Sequence, residues 1–397
     1  MLEQIITERD VRQLILKHEL YQEKGDSEFV DFNEIIKGIY ANISSSNFNF
    51  NINKTYLYDK PLYLAGDIES KIVLRYLDKL VKRVYKVKQA NRDRIIRQLI
   101  SILQSTNEFY IIKLDISSFY ESIDTVNLIQ RLRDDGIISF QNVSYIESVI
   151  NKTSGSGLPR GIPFSASLSE LYLRDLDKYL KTNCKVSYFA RYVDDIIIIS
   201  SQSFVKEIKK YLSKTLHLEI NNGKKDIIEI NNDDYSKKTF EFLGYKFDID
   251  NHITKNAKKR TISVSIADSK IKKIKSRITK SSLIFLKDGN FENFFNRLKL
   301  LFGNYRLDSN KNGILMTGIY YNYKYITDDR ALENLNRFKN TLITGNSRLS
   351  RLLKMHLSVN ERKKILKLNI CSGFHSKIKV KLSEQKIQVL CKELKYV

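Results

Sequence analysis

Two adjacent acids, Asp194 and Asp195, interrupt an apolar run between Tyr188-Phe-Ala-Arg-Tyr192 and Ile196-Ile-Ile-Ile199. Burying a carboxylate without compensation costs several kcal/mol, so such a pair persists only beside a cation or at an exposed tip. Asp115 closes a second apolar stretch, Tyr110-Ile-Ile-Lys-Leu-Asp115, in the same manner. If the two stretches are neighbouring strands, the acids meet at one edge, and hard oxygen ligands gathered at one point are what Mg²⁺ requires. Two ions about 4 Å apart activate an attacking hydroxyl and stabilise a leaving pyrophosphate. The chemistry expected of these residues is therefore nucleotidyl transfer, which needs little beyond positioning and charge. A lone aspartate at a strand end is ordinarily a turn residue. Three acids on two apolar strands shift that balance towards a site.

The elements that must position these acids are legible from periodicity. Apolar residues at helical spacing from Asp67 to Leu103 predict two helices broken near Ala90-Asn91, followed by the strand ending at Asp115. A helix is expected from Ser122 to Arg133, with a stop at Gly136. Two of the three prolines, Pro159 and Pro163, fall in the segment Gly155-Ser-Gly-Leu-Pro-Arg-Gly-Ile-Pro163, which reads as a loop. Ser165 to Leu180 then reads as one helix, and Val186 to Ser200 as a hairpin with Val193-Asp194-Asp195 at its tip. The polar run from Ser44 to Asn53 predicts a loop or a short edge hairpin, Phe204 to Leu216 a helix, Phe240 to Ile249 a hairpin or strand, and Thr261 to Ile266 a strand. The order is that of an α+β sheet with helices packed on one face.

Composition sets the wider frame. The net charge of +23 is unevenly placed: residues 255–397 hold 32 Lys and Arg against 10 Asp and Glu, whereas residues 1–254 hold 36 against 35. A basic block of that kind is the footprint of a phosphate-binding surface. Within it, Lys270, Lys272, Lys273, Lys275 and Arg277 form a run expected to meet nucleic acid. Tyr320-Tyr321-Asn-Tyr323-Lys-Tyr325 suits base stacking or core packing alike. Three widely spaced cysteines and no CxxC pair fit a reducing, cytoplasmic setting, and Cys371 with His375 lacks the second pair that zinc needs. No stretch has the length and apolarity of a membrane span or a signal peptide.

Tyr192-Val-Asp-Asp195 resembles the YxDD signature of reverse transcriptases, and Leu114-Asp-Ile-Ser-Ser-Phe-Tyr120 resembles their first catalytic motif. Between them, Gly157-Leu-Pro-Arg-Gly-Ile-Pro-Phe-Ser-Ala-Ser-Leu168 is similar to the loop and helix these enzymes place over template and nucleotide. Leu218 to Lys224 resembles the fourth motif, and Phe242-Leu243-Gly244-Tyr245 the primer grip, so the likeness covers about residues 55–250. Arg160 stands where the family has Gln, Ala166 where it has Pro, and Glu170 where it has Asn. That variant is most similar to the bacterial abortive-infection, antiphage reverse transcriptases.

The resemblance implies a right-hand polymerase: N-terminal segment and helical fingers over 1–109, a palm over 110–254 with part of the fingers interleaved, and a basic, mainly helical thumb or extension over 255–397. It implies an RNA-directed DNA polymerase using two Mg²⁺ ions, or Mn²⁺, acting in bacterial defence. Its metal ligands are then Asp115, Asp194, Asp195 and the Ile116 carbonyl, and Lys224 is a general acid towards pyrophosphate. Tyr120 gates against a ribose 2′-hydroxyl, so deoxynucleotides are the substrate, while Arg75, Arg92, Arg94, Arg160, Gly161 and Ser165 meet the nucleotide. The partners implied are an RNA template or a dedicated noncoding RNA, the DNA product, deoxynucleoside triphosphates, and a partner polymerase or further copies of the chain. Two other readings stay open: a template-independent DNA-synthesising transferase of the same fold, and a catalytically silent RNA-binding scaffold.

Overall fold

The computed structural model describes residues 4–16, 19–20, 31–45, 48–57, 59–154, 156–253, 258–307 and 315–394. Gly155 at the head of the expected loop, positions 46–47 of the expected 44–53 segment, and Lys255 at the expected start of the thumb lie outside the described residues. By packing, the chain forms two compact units. Met1–Ile95 with Glu108–Ile230 makes the first, and Ile96–Asn107 with Asn231–Val397 the second. The division thus falls after Ile230, ahead of the boundary that composition places at 254, because the next sheet packs with the basic helices.

The first unit is built on a four-stranded antiparallel sheet. Its strands are β3 (Phe109–Asp115), β4 (Val186–Tyr192), β5 (Asp195–Ser200) and β6 (Asp226–Ile230), in the order β4-β5-β3-β6. β5 lies between β4 and β3, and Ile196, Ile197, Ile198 and Ile199 are all buried. A strand covered on both faces reads as a continuous apolar run, which is the pattern seen. Two earlier strands, β1 (Ile52–Leu57) and β2 (Lys60–Ala65), form a separate antiparallel hairpin.

Helices cover the sheet. Ile68–Val84 starts where the Asp67 carboxylate accepts from the Ser70 amide, and buries the stripe Ile72, Leu77, Leu80 and Val81. It packs against Pro163–Tyr172, whose first-turn proline needs no hydrogen-bond partner, and Ser167 bonds Asp78 across that contact. The single helix expected over Ser165 to Leu180 is two, Pro163–Tyr172 and Arg174–Thr182, breaking at Leu173. The helix expected to begin at Ser122 is also preceded by a short turn, Phe119–Ser122, before Thr125–Asp135 ends on Gly136 at φ +59°. Arg92–Leu103 straddles the two units.

The second unit carries a three-stranded antiparallel sheet, β7 (Lys237–Phe242), β8 (Tyr245–Asp250) and β9 (Ile262–Ile266), followed mainly by helices. A short pair, β10 (Asn304–Leu307) and β11 (Leu315–Gly318), interrupts them. Arg260, 2% exposed, ties the unit together by donating to the Ser105, Asn107 and Asn251 carbonyls and to Asn232 Oδ1. Among the described residues no helix is long and apolar enough to cross a membrane.

Candidate active site

β3 and β5 pair antiparallel in a register that sets Asp115 directly opposite Asp195. Directly opposed residues share a face of the sheet, so these two carboxylates lie on one side at one end of the strands. Asp194 occupies the two-residue turn joining β4 to β5, beside Val193. Val193 takes φ +61°, a left-handed conformation that a β-branched residue rarely adopts. Strain of this kind persists only where the surroundings impose it, and it clusters at functional sites.

Asp115 is 5% exposed and accepts from the Asn221 side-chain amide at 3.2 Å, while the Asn221 backbone N–H donates to the Asp115 carbonyl at 2.8 Å. Ile116, buried, bridges to Ile220 in the same segment. Asn221 therefore fixes both the main chain and the side chain of the first acid. It lies in the fourth motif, but sequence reading attends to Lys224, the last residue of the 3₁₀ turn Asn222–Lys224.

Tyr120 sits five residues after Asp115, with its ring 5.5 Å from that of Phe119 and the Arg160 guanidinium 5.2 Å from its centroid. Burial pushes the Tyr120 phenol up; the Asp194 and Glu170 charges add to that, while the Ser169 hydroxyl and Arg160 oppose it. Asp194 also raises Arg160, behind the larger effect of Glu121. Those linkages put Asp194, Tyr120 and Arg160 in one electrostatic neighbourhood. A recess of about 100 Å³ lies there, lined by Gln89, Ala90, Tyr120, Ala166, Glu170 and Val193 among others.

The Pro/Gly loop packs between β2 and the turn that carries Tyr120. Arg160 grips Glu121 with two bonds, at 2.5 and 3.0 Å, and its carbonyl accepts from Tyr63 N–H of β2 at 2.8 Å. Gly157 and Gly161 take φ +74° and +93°, and a Cβ on either would fall within 2.7 Å of backbone oxygens, of Tyr120 and Glu121 or of Tyr63. Only glycine fits both the conformation and the approach. The Ser165 hydroxyl, buried, donates to Pro159 O at 2.7 Å and so closes the loop on its helix.

The structure thus brings Asp115, Ile116, Asp194, Asp195, Tyr120, Arg160 and Gly161 to one region of the first unit. Arg75 is engaged elsewhere, in two bonds to Glu19 at 2.7 and 2.6 Å and one to the Leu14 carbonyl. Arg92 and Arg94 stand in the first turn of their helix, Arg94 exposed and near enough to Tyr188 to lower its phenol against burial. Phe242, Leu243, Gly244 and Tyr245 form the β7–β8 turn in the second unit, where Phe242 and Tyr245 are buried and Leu243-Gly244 has positive φ at both positions, the backbone of a type I′ hairpin.

The basic run lies on the helix Asp268–Asp288, and helical geometry divides it. Lys272 and Lys275 share a groove with Ser276, Thr279, Lys280 and Phe338. Lys270, Lys273 and Arg277 fall on another side, the side of 3–4 spacing from 270. The tyrosine cluster is packing: Tyr323 and Tyr325 lie 6.1 and 6.3 Å from Tyr245, and Tyr320 lies 5.5 Å from Phe374.

The donor set suits a divalent cation in kind, being carboxylates and a main-chain carbonyl. Among the described residues no three acidic, histidine or cysteine side chains converge as a closed cage. Mg²⁺ at sites of this type takes one or two carboxylates and completes its shell with substrate phosphates and water, so Asp115 and its register partner Asp195, with Asp194 next in the chain, fit that requirement in kind.

One residue that sequence reading passed over is Arg191, a cation inside the apolar strand β4 whose side chain is 5% exposed and which bonds Glu170, Asp177 and the Val193 carbonyl. The signal was present, since an arginine in a buried strand must have acidic partners.

Residues 68–247 match the family described as Reverse transcriptase (RNA-dependent DNA polymerase). The chain accordingly carries a reverse transcriptase domain, the domain of a nucleotidyltransferase, with the α+β polymerase fold expected from the sequence. Among solved structures it is similar to apo telomerase from Candida tropicalis truncated from its C-terminal domain, at 16% identity over 55% of each chain and a TM-score of 0.38. It is similar also to telomerase from Candida albicans in complex with a TWJ fragment of telomeric RNA, at 12% identity over 82% of this chain and 62% of that one, TM-score 0.39. The chain therefore spans less than two thirds of the length of either. No curated protein matches it.

Proposed function

We propose that this chain is an RNA-directed DNA polymerase that transfers deoxynucleoside monophosphates to a 3′-hydroxyl or a protein hydroxyl. The observation that carries the reading is the register of β3 on β5, which opposes Asp115 to Asp195 next to Asp194 at a strained turn, inside the stretch that matches the reverse transcriptase family. Asp115 and Asp194, with Asp195 and the Ile116 carbonyl, would hold Mg²⁺ or Mn²⁺. Ions held there would supply charge neutralisation for the triphosphate and activation of the attacking hydroxyl.

The protein's own groups do the rest. Tyr120 closes the recess against a 2′-hydroxyl, and Arg160, over the Tyr120 ring, meets the nucleotide together with Gly161 and Ser165. Arg92 and Arg94, at the start of their helix, are the cations we assign to the triphosphate, and Lys224 the proton donor to pyrophosphate. The Lys272–Lys275–Lys280 groove of the second unit takes the phosphate backbone of the template or product.

The test is incorporation of each deoxynucleotide by purified protein with Mg²⁺, after sequencing the nucleic acid that copurifies. Asp194→Asn should cost roughly 10³-fold in incorporation while RNA retention stays at the wild-type level. If Asp194→Asn leaves the biological activity intact, the chain is a silent scaffold and the reading fails. A template-independent variant of the reaction is favoured by one observation, the replacement of the family's Gln by an Arg160 locked to Glu121. Incorporation that survives nuclease removal of all RNA would establish that variant. The role we propose in the cell is antiphage defence in the bacterial cytoplasm, checked by phage plating efficiency on cells expressing the wild-type or Asp194→Asn chain.

A further inference from the structure

Arg191 stands near the end of β4, two residues before Val193. Its guanidinium makes five polar contacts. Nε and Nη2 donate to Asp177 Oδ1 and Oδ2 at 2.9 and 2.8 Å, and Nη1 and Nη2 to Glu170 Oε1 and Oε2 at 3.1 and 2.8 Å. The fifth runs from Nη1 to the Val193 carbonyl at 3.1 Å. A guanidinium has five N–H groups in a rigid fork, so the whole donor set is spent. Removing such a charge from water is tolerated because two carboxylates hold its two adjacent edges, sharing Nη2.

The fifth bond has a specific consequence. The carbonyl of Val193 belongs to the peptide that leads into Asp194, and Val193 is the residue forced to φ +61°. Arg191 therefore fixes the plane of the peptide from which the metal-ligand side chain departs. Glu170 and Asp177 sit on Pro163–Tyr172 and Arg174–Thr182, so both helices are tied to the turn through one side chain.

We infer that Arg191, clamped by Glu170 and Asp177, is a positioning residue that presets Asp194 for divalent-cation binding. The inference rests on the polymerase reading for its purpose, though not for its geometry. Groups that orient metal ligands without touching the metal change its affinity by roughly 10- to 100-fold when removed. Lysine keeps the charge but has three donors and no fork, so Arg191→Lys isolates the geometry from the charge.

The experiment measures Mn²⁺ binding to the intact chain by the electron paramagnetic resonance signal of free Mn²⁺, alongside incorporation across a Mg²⁺ titration. For Arg191→Lys the expected result is a weakening of Mn²⁺ binding and a rise in the Mg²⁺ half-saturation of roughly 10-fold or more, with incorporation recovering at high Mg²⁺. Glu170→Gln keeps the shape of the clamp and serves as the second variant should the first fail to fold, with a smaller shift in the same direction. Unchanged Mn²⁺ affinity and an unchanged Mg²⁺ profile in a folded variant would overturn the inference, even with a lowered melting temperature. A wild-type chain that binds Mn²⁺ in an Arg191-dependent way but incorporates nothing would instead sink the polymerase reading and leave the positioning role standing.

Discussion

The sugar gate proposed for this site is a single ring, Tyr120. The Phe119 ring packs against it and the Arg160 guanidinium lies over its face, and it lines the recess shared with Ala166 and Val193. A ring held on two sides excludes by volume, and a pocket that rejects one added hydroxyl reaches discrimination of about 10². Replacing Tyr120 with Ala should therefore lower the preference for deoxynucleotides over ribonucleotides by roughly 10- to 100-fold in kcat/KM. Wild-type protein that already accepts both sugars equally would sink that assignment. Burial raises the Tyr120 phenol above its ordinary value near 10, so the group stays neutral at assay pH. Because Phe keeps the ring, Tyr120→Phe should share the wild-type pH profile up to about pH 9.

Elements act through the places where they approach most closely. The loop from Gly157 to Pro163 is threaded between β2 and the Tyr120 turn, and at Gly161 a methyl would stand 2.4 Å from the Tyr63 carbonyl. Gly161→Ala should cost about 2 kcal/mol or more and lower the melting temperature by roughly 4–8 °C. Gly136→Ala is the control: its φ of +59° is also left-handed, but nothing lies near the added carbon. It should cost only about 1 kcal/mol. Equal losses would show that conformation alone, and not the approach to β2, makes Gly161 necessary. At this scale the sequence was informative wherever chemistry is local. The hairpin Val186–Tyr192 and Asp195–Ser200 was legible because apolar runs flank an acidic tip, and the helix end at Gly136 because glycine marks it. The break at Leu173 was not, since neither proline nor glycine punctuates it and both half-helices carry apolar faces. Arg191 and Asn221 were missed for a related reason: their partners, Glu170, Asp177 and Asp115, lie 14 to 106 residues away, and single-chain spacing does not pair them.

At the scale of the whole chain, charge and packing divide the sequence at different points. Composition changes after residue 254, but the sheet of β7 to β9 packs with the basic region, because the Tyr245 hydroxyl of β8 donates to the Asn322 carbonyl and Val264 of β9 accepts from the Thr327 N–H. Thirty-two basic residues against ten acids beyond residue 254 are too many for internal pairing, so most of that charge faces solvent or phosphate. Each phosphate neutralised on a single strand releases counterions and adds about 0.7 to the slope of log affinity against log salt. The helix Asp268–Asp288 presents Lys272, Lys275 and Lys280 along one groove beside Phe338. Changing those three lysines to glutamine should then reduce the salt slope for single-stranded RNA by about 2 and weaken binding evenly across sequences. Lys270, Lys273 and Arg277, which do not line the groove, give the comparison. If substituting Lys270 and Lys273 lowers the slope as much as the groove lysines do, the groove is not the track of the strand, and the charge acts as an undirected field.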